Sequence, residues 1–86
     1  MNKMFLRIDD AIIISNAKRI QEGVEKIKDK KHLAEIICKK LQSNKDNTYM
    51  KLYRAENQGF VSENQELIDA LISELGVERS ILVSSI

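Results

Sequence analysis

KIKDKKHLAEII, residues 26–37, is where this chain either runs on as one helix or breaks into two. On one reading, Ala34, Cys38 and Leu41 continue the stripe of Ile20, Val24 and Ile27 almost in phase, with Lys31 interrupting it. A single helix then covers residues 17–42. On the other, Asp29 ends a first helix and starts a second that carries Leu33, Ile36, Ile37 and Leu41, although neither Gly nor Pro marks the break.

Upstream, MFLRIDDAIIIS (residues 4–15) is rich in strand-forming residues and predicts a strand, or a tight hairpin turning at Asp9 and Asp10. If extended, Phe5, Arg7 and Asp9 share one face and Met4, Leu6 and Ile8 the other. Asn16 is placed to cap the helix that follows.

Downstream, SNKDN (residues 43–47) reads as a loop, because its Ser, Asn and Asp side chains compete for backbone hydrogen bonds. Thr48–Glu56 predicts a helix with Tyr49, Leu52 and Tyr53 on one side, ended by Asn57, Gln58 and Gly59. Met50 and Leu52 are expected to pack inward there, with Thr48, Lys51 and Arg54 outward. Leu67, Leu71 and Leu75, with Ile68 and Ile72, form a 3.6-residue stripe. Ser62 and Gln65 have capping-box spacing before it, and Gly76 suits a left-handed residue just past it. The tail ILVSSI is a short strand or a last core anchor.

The expected fold is mainly α, a compact bundle of four to five short helices with a short N-terminal β-strand or hairpin. One domain spans residues 1–86, with the strand or hairpin at 4–15 and the helical core at 16–82. Its aromatic residues are Phe5, Tyr49, Tyr53 and Phe60, so aliphatic side chains carry a modest core, and a homo-oligomer is a natural expectation. Cys38 is the single cysteine, and MNKMFLRIDD lacks the apolar centre of a signal peptide, which predicts a cytoplasmic protein. The longest apolar run, Ala11–Ile14, is far below the roughly 20 residues that span a bilayer.

The formal net charge of +1 hides an asymmetry. Residues 1–54 hold thirteen Lys and Arg against seven Asp and Glu, a net +6, whereas the remainder sets Arg79 against six acids, a net −5. One half suits a polyanion while the other suits solvent or a partner. Each lysine taken singly also fits a solvated helix face.

No arrangement predicts catalysis, a metal or a cofactor. On a continuous helix His32 and Cys38 lie about 240° apart and do not face each other. Cys38 reads as a small buried hydrophobe, and Asp9–Asp10 as a turn or helix start. Gly23, Gly59 and Gly76 form no phosphate loop.

HLAEII, LYRAENQG and ELIDALISELGVERSIL, in that order, resemble Cro/repressor-type (XRE-like) helix-turn-helix regulators over residues 19–82. Leu33 and Ala34 open the second helix of such a unit, Leu52, Glu56 and Gly59 close the third, and Leu75, Gly76, Val77 with Ile81 or Leu82 mark its end. The connection CKKLQSNKDN reads as longer than that family's tight turn, no proline precedes the last helix, and Gln58 is an extra residue before Gly59.

The resemblance implies a small dimeric transcriptional regulator, phage- or plasmid-type, that binds double-stranded DNA. Lys45, Asn47, Thr48, Lys51 and Arg54 would lie near the DNA, with Lys30, Lys31, Lys39 and Lys40 adding phosphate contacts. In the N-terminal half, MFLRIDDAIII and KKHLAEIICKKL also resemble ribbon-helix-helix regulators, whose strand would send Phe5 and Arg7 into the groove. The alternative is a small helical inhibitor or adaptor that occludes a protein partner's surface, using the acidic C-terminal helix.

Overall fold

The computed structural model describes residues 3–85, which form five helices and two short strands. They run β1 (Met4–Leu6), α1 (Ile8–Glu22), α2 (Lys30–Leu41), α3 (Lys45–Asn57), α4 (Gln65–Leu75), α5 (Arg79–Leu82) and β2 (Val83–Ser85). The fold is mainly helical.

The chain breaks at Asp29, so two helices replace the single helix over 17–42. Asp29 is extended, and its carboxylate accepts the His32 N–H at 2.8 Å as the N-cap of α2. Gly23, at φ 71°, turns the chain out of α1. Between them Ile27 is buried, held by Asn16: Asn16 Oδ1 accepts the Ile27 N–H and its Nδ2 donates to the Ile27 carbonyl, both at 2.8 Å. Asn16 is thus a clamp inside α1 and not the cap expected.

The expected strand or hairpin over 4–15 shrinks to three residues because helical burial wins over local strand preference. Ile8, Ala11, Ile12 and Ser15 recur at helical spacing and are buried. Asp9 and Asp10 fall in the first turn, where carboxylates favour the helix dipole. Since that face does the burying, Ile20 and Val24 are exposed and not core. β1 finds its partner at the far end of the chain: Met4, Phe5 and Leu6 pair antiparallel with Ser85, Ser84 and Val83. Met4 also bridges Phe60 on its other edge, through two 2.8 Å backbone hydrogen bonds, so neither side of it is open to a partner's strand.

The third helix begins earlier than expected, at Lys45, because Asn44 caps it by accepting the Asp46 and Asn47 N–H groups. Asn64, accepting the Leu67 N–H, caps α4 in place of Ser62. Gly76 closes α4 at φ 66°, as its position suggested.

One core gathers Leu33, Ala34 and Ile37 of α2, Leu52 of α3 and Leu67, Ile68, Leu71 and Leu75 of α4. α2 packs on α3 and α4, whereas α1 packs on α5 and α4. Glu56, at the end of α3, ties the two groups together. Its carboxylate accepts the Ile8 N–H at the start of α1, which has no side-chain cap of its own, and pairs with Lys30 of α2. Among the described residues no helix is long and apolar enough to cross a membrane.

Candidate nucleic-acid interface

The candidate surface is built on the α2–α3 pair. Only Gln42, Ser43 and Asn44 separate the two helices, a turn of helix-turn-helix length, so the connection is shorter than the sequence suggested. Gln42 takes the left-handed conformation (φ 52°, ψ 44°) that reverses the chain, and the Ser43 N–H donates to the Cys38 carbonyl at 3.0 Å. Thr48 then locks the turn from within. Its hydroxyl donates to the Asn44 carbonyl at 3.0 Å and accepts from Ser43 Oγ at 2.7 Å.

Contrary to the expectation that it faces a ligand, Thr48 is fully buried. Thr48, Leu52 and half-buried Ala55 form the inward stripe of α3, which leaves Met50 outward and 40 % exposed, the reverse of its expected packing. Asn47, Met50, Lys51 and Arg54 therefore share one exposed face at helical spacing i, i+3, i+4, i+7. Neither Lys51 nor Arg54 has an acidic partner among the described residues. A cavity of about 240 Å³ opens beside them, lined by Leu6, Ala55, Phe60, Leu67 and Ile68.

The other expected contacts separate into used and unused cations. Lys30 is engaged: it pairs with Glu56 and lies 6.0 Å from the centre of the Tyr53 ring. Burial draws its pKa down, but the hydrogen bond and charge of Glu56, aided by Asp9 and Tyr49, leave it above the ordinary lysine value. Lys45 pairs loosely with Glu35 at 3.4 Å, both exposed. Lys31 and Lys39 are exposed without an acidic partner among the described residues, while Lys40 reaches Glu74 at 3.2 Å.

Folding also offsets part of the charge asymmetry. Glu74 binds Arg19 at 2.8 Å as well as Lys40, and Glu56 binds Lys30, so two acids of the second half lie on bases of the first, while Glu63 binds Arg79 within the second half. Glu66 and Asp69 remain exposed on the outer side of α4, with Asp69 accepting from Gln65 at 2.7 Å, so two of the three carboxylates of this helix stay on the surface. His32 accepts the Lys28 N–H through Nδ1, and half-exposed Cys38 donates to the Glu35 carbonyl. Among the described residues no three His, Cys, Asp or Glu gather where a metal could be held.

Sequence reasoning missed Met50 as a surface residue and gave Tyr53 no outward role. Exposed at 40 % and 44 %, they put apolar area onto the same helix as the cations. Their signal lay in the position of Thr48, since a buried threonine at the start of α3 rotates Met50 away from the core. No protein family, curated protein or solved structure matches this chain.

Proposed function

We propose that this chain is a small DNA-binding transcriptional regulator that acts as a homodimer and lays α3 in the major groove. One observation carries the reading. A three-residue turn sets α3 against α2, and α3 turns Asn47, Lys51 and Arg54 to solvent on one face with no acid opposing the two cations among the described residues. Arginine reads guanine and asparagine reads adenine through paired hydrogen bonds, while lysines hold phosphates. Lys31, Lys39 and Lys45 flank that face as backbone contacts, whereas Lys30 and Thr48 serve the fold. The test is fluorescence anisotropy of the purified chain with duplex DNA, compared with the Lys51→Ala/Arg54→Ala variant. Weaker binding by the variant with unchanged helical content is the expected result, and equal binding would remove α3 from the role.

A second reading, a helical inhibitor that occludes a protein partner, is favoured by the exposure of Met50 and Tyr53 on this helix. It predicts no DNA binding even at low salt, and loss of partner binding when those two residues are replaced by Ala.

A further inference from the structure

The cavity beside α3 is lined in two unlike parts. Leu6 of β1, Phe60 beside it and Leu67 and Ile68 of α4 wall it with hydrocarbon, and Ala55, on the inward stripe of α3, is too short to fill it. About 240 Å³ stays open there. An apolar cavity of about 150 Å³ already accepts a benzene ring, so this one has room for a ring and a short chain, though not for a drug-sized molecule. Water inside finds few polar partners and is displaced at little cost.

The exposed residues that complete the lining are of the opposite chemistry. Lys51 and Arg54 contribute from α3, and Asn64 from the cap of α4. Asn64 Oδ1 accepts the Leu67 N–H, and its Nδ2 donor has no partner among the described residues. None of the lining residues is a carboxylate. Glu66 shares a neighbouring groove with Lys51 but forms no ion pair with it. Two cations and an amide donor at the rim of a hydrocarbon chamber match a small molecule with an apolar body and an anionic oxygen pair at one end.

We propose that this cavity binds a small carboxylic acid as its anion, a ring-sized hydrocarbon body lying among Ala55, Phe60 and Ile68 and the carboxylate held at the rim by Lys51 and Arg54. Apolar burial supplies the affinity, and the two cations select the acid over its uncharged analogues. The site itself stands without DNA. One consequence rests on the regulator reading: the same two cations face the groove there, so the acid and DNA exclude each other.

The test is NMR titration of the isotope-labelled full chain with hydrocinnamate, a phenyl ring on a propionate chain, and with its uncharged amide. Saturable shifts at the Ala55, Phe60 and Ile68 amides are expected, with a dissociation constant of about 1 mM or tighter, within reach of so small a ligand. The acid should bind about ten-fold tighter than the amide, the net worth of one charge-assisted hydrogen bond. Lys51→Ala/Arg54→Ala should abolish that preference while leaving the amide's binding in place. Ala55→Leu should fill the chamber and abolish both; should that variant fail to fold, the double alanine variant, which changes only exposed side chains, still decides. No saturable shift at about 10 mM, shifts confined to surface residues outside the cavity, equal binding of acid and amide, or a preference that survives the double variant would each overturn the proposal. In a separate measurement, saturating hydrocinnamate should weaken duplex binding several-fold and the amide should not. A chain that binds hydrocinnamate as described but no DNA fails the regulator reading and keeps the site, whereas DNA binding indifferent to the acid overturns the shared use of Lys51 and Arg54.

Discussion

Glu74 is held by Arg19 and Lys40, and Arg19 also donates to the carbonyls of Glu74 and Glu25 and to Ser15 Oγ, so one carboxylate joins the ends of α1, α2 and α4. Burial raises its pKa, but the hydrogen bonds from Arg19 and Lys40 outweigh that and hold it below the ordinary 4.5. A carboxyl lowered by folding stabilises the fold above its unfolded pKa, and that contribution is lost as pH falls through the folded value. Glu74→Gln should therefore be less stable than wild type by about 1.5–3 kcal/mol at neutral pH, the worth of a charge-assisted hydrogen bond. The gap should close below pH 4.5, as read from urea midpoints across pH; a constant gap would contradict it. Gly59 is a second single-residue control point. At φ 77°, a Cβ there would come 2.8 Å from the Met4 carbonyl oxygen, whereas at Gly76, also left-handed, it would touch nothing. Both Gly→Ala changes carry about 1–2 kcal/mol of left-handed strain. Gly59→Ala should lose measurably more in chemical denaturation, since the Met4–Phe60 bridge must move; equal losses would refute the close approach.

At the scale of elements, the α2–α3 turn depends on Gln42 holding a left-handed conformation that glycine adopts without strain. Gln42→Gly should raise the melting temperature, by a net gain of up to about 1 kcal/mol after the added freedom of the unfolded chain is counted. A lower melting temperature would contradict the assigned turn. How far the elements were legible follows from where their partners lie in sequence. The stripe of α4 and the left-handed Gly76 are local patterns and were readable, as was the break at Asp29, one of two readings of residues 17–42. α1 was not, because AIIIS has the composition of a strand and becomes helical through burial against α4 and α5, more than 40 residues away. Of the candidate surface, Asn47, Lys51 and Arg54 were readable as polar residues on a helix. The pairing of Lys30 was not legible because its partner, Glu56, is 26 residues downstream, nor was the burial of Thr48, because a threonine bonded within its own turn resembles an exposed one in sequence.

At the scale of the molecule, the chain closes on itself. β1 and β2 join its two ends, and Glu56 and Glu74 draw acids of the second half onto bases of the first. This leaves two distinct outward surfaces: an apolar strip on α1, which packs on α4 and α5, and a polar, cationic face on α3, which packs on α2 and β1. The most direct test of the central claim is anisotropy of the wild-type chain on mixed-sequence duplex DNA at about 50 and 200 mM salt, where counterion release makes phosphate-neutralising binding fall steeply. The account predicts binding that weakens sharply across that range, with a shallower salt slope for Lys51→Ala/Arg54→Ala. Absence of binding at the lower salt would contradict it and turn attention to Met50 and Tyr53 as a protein-docking face.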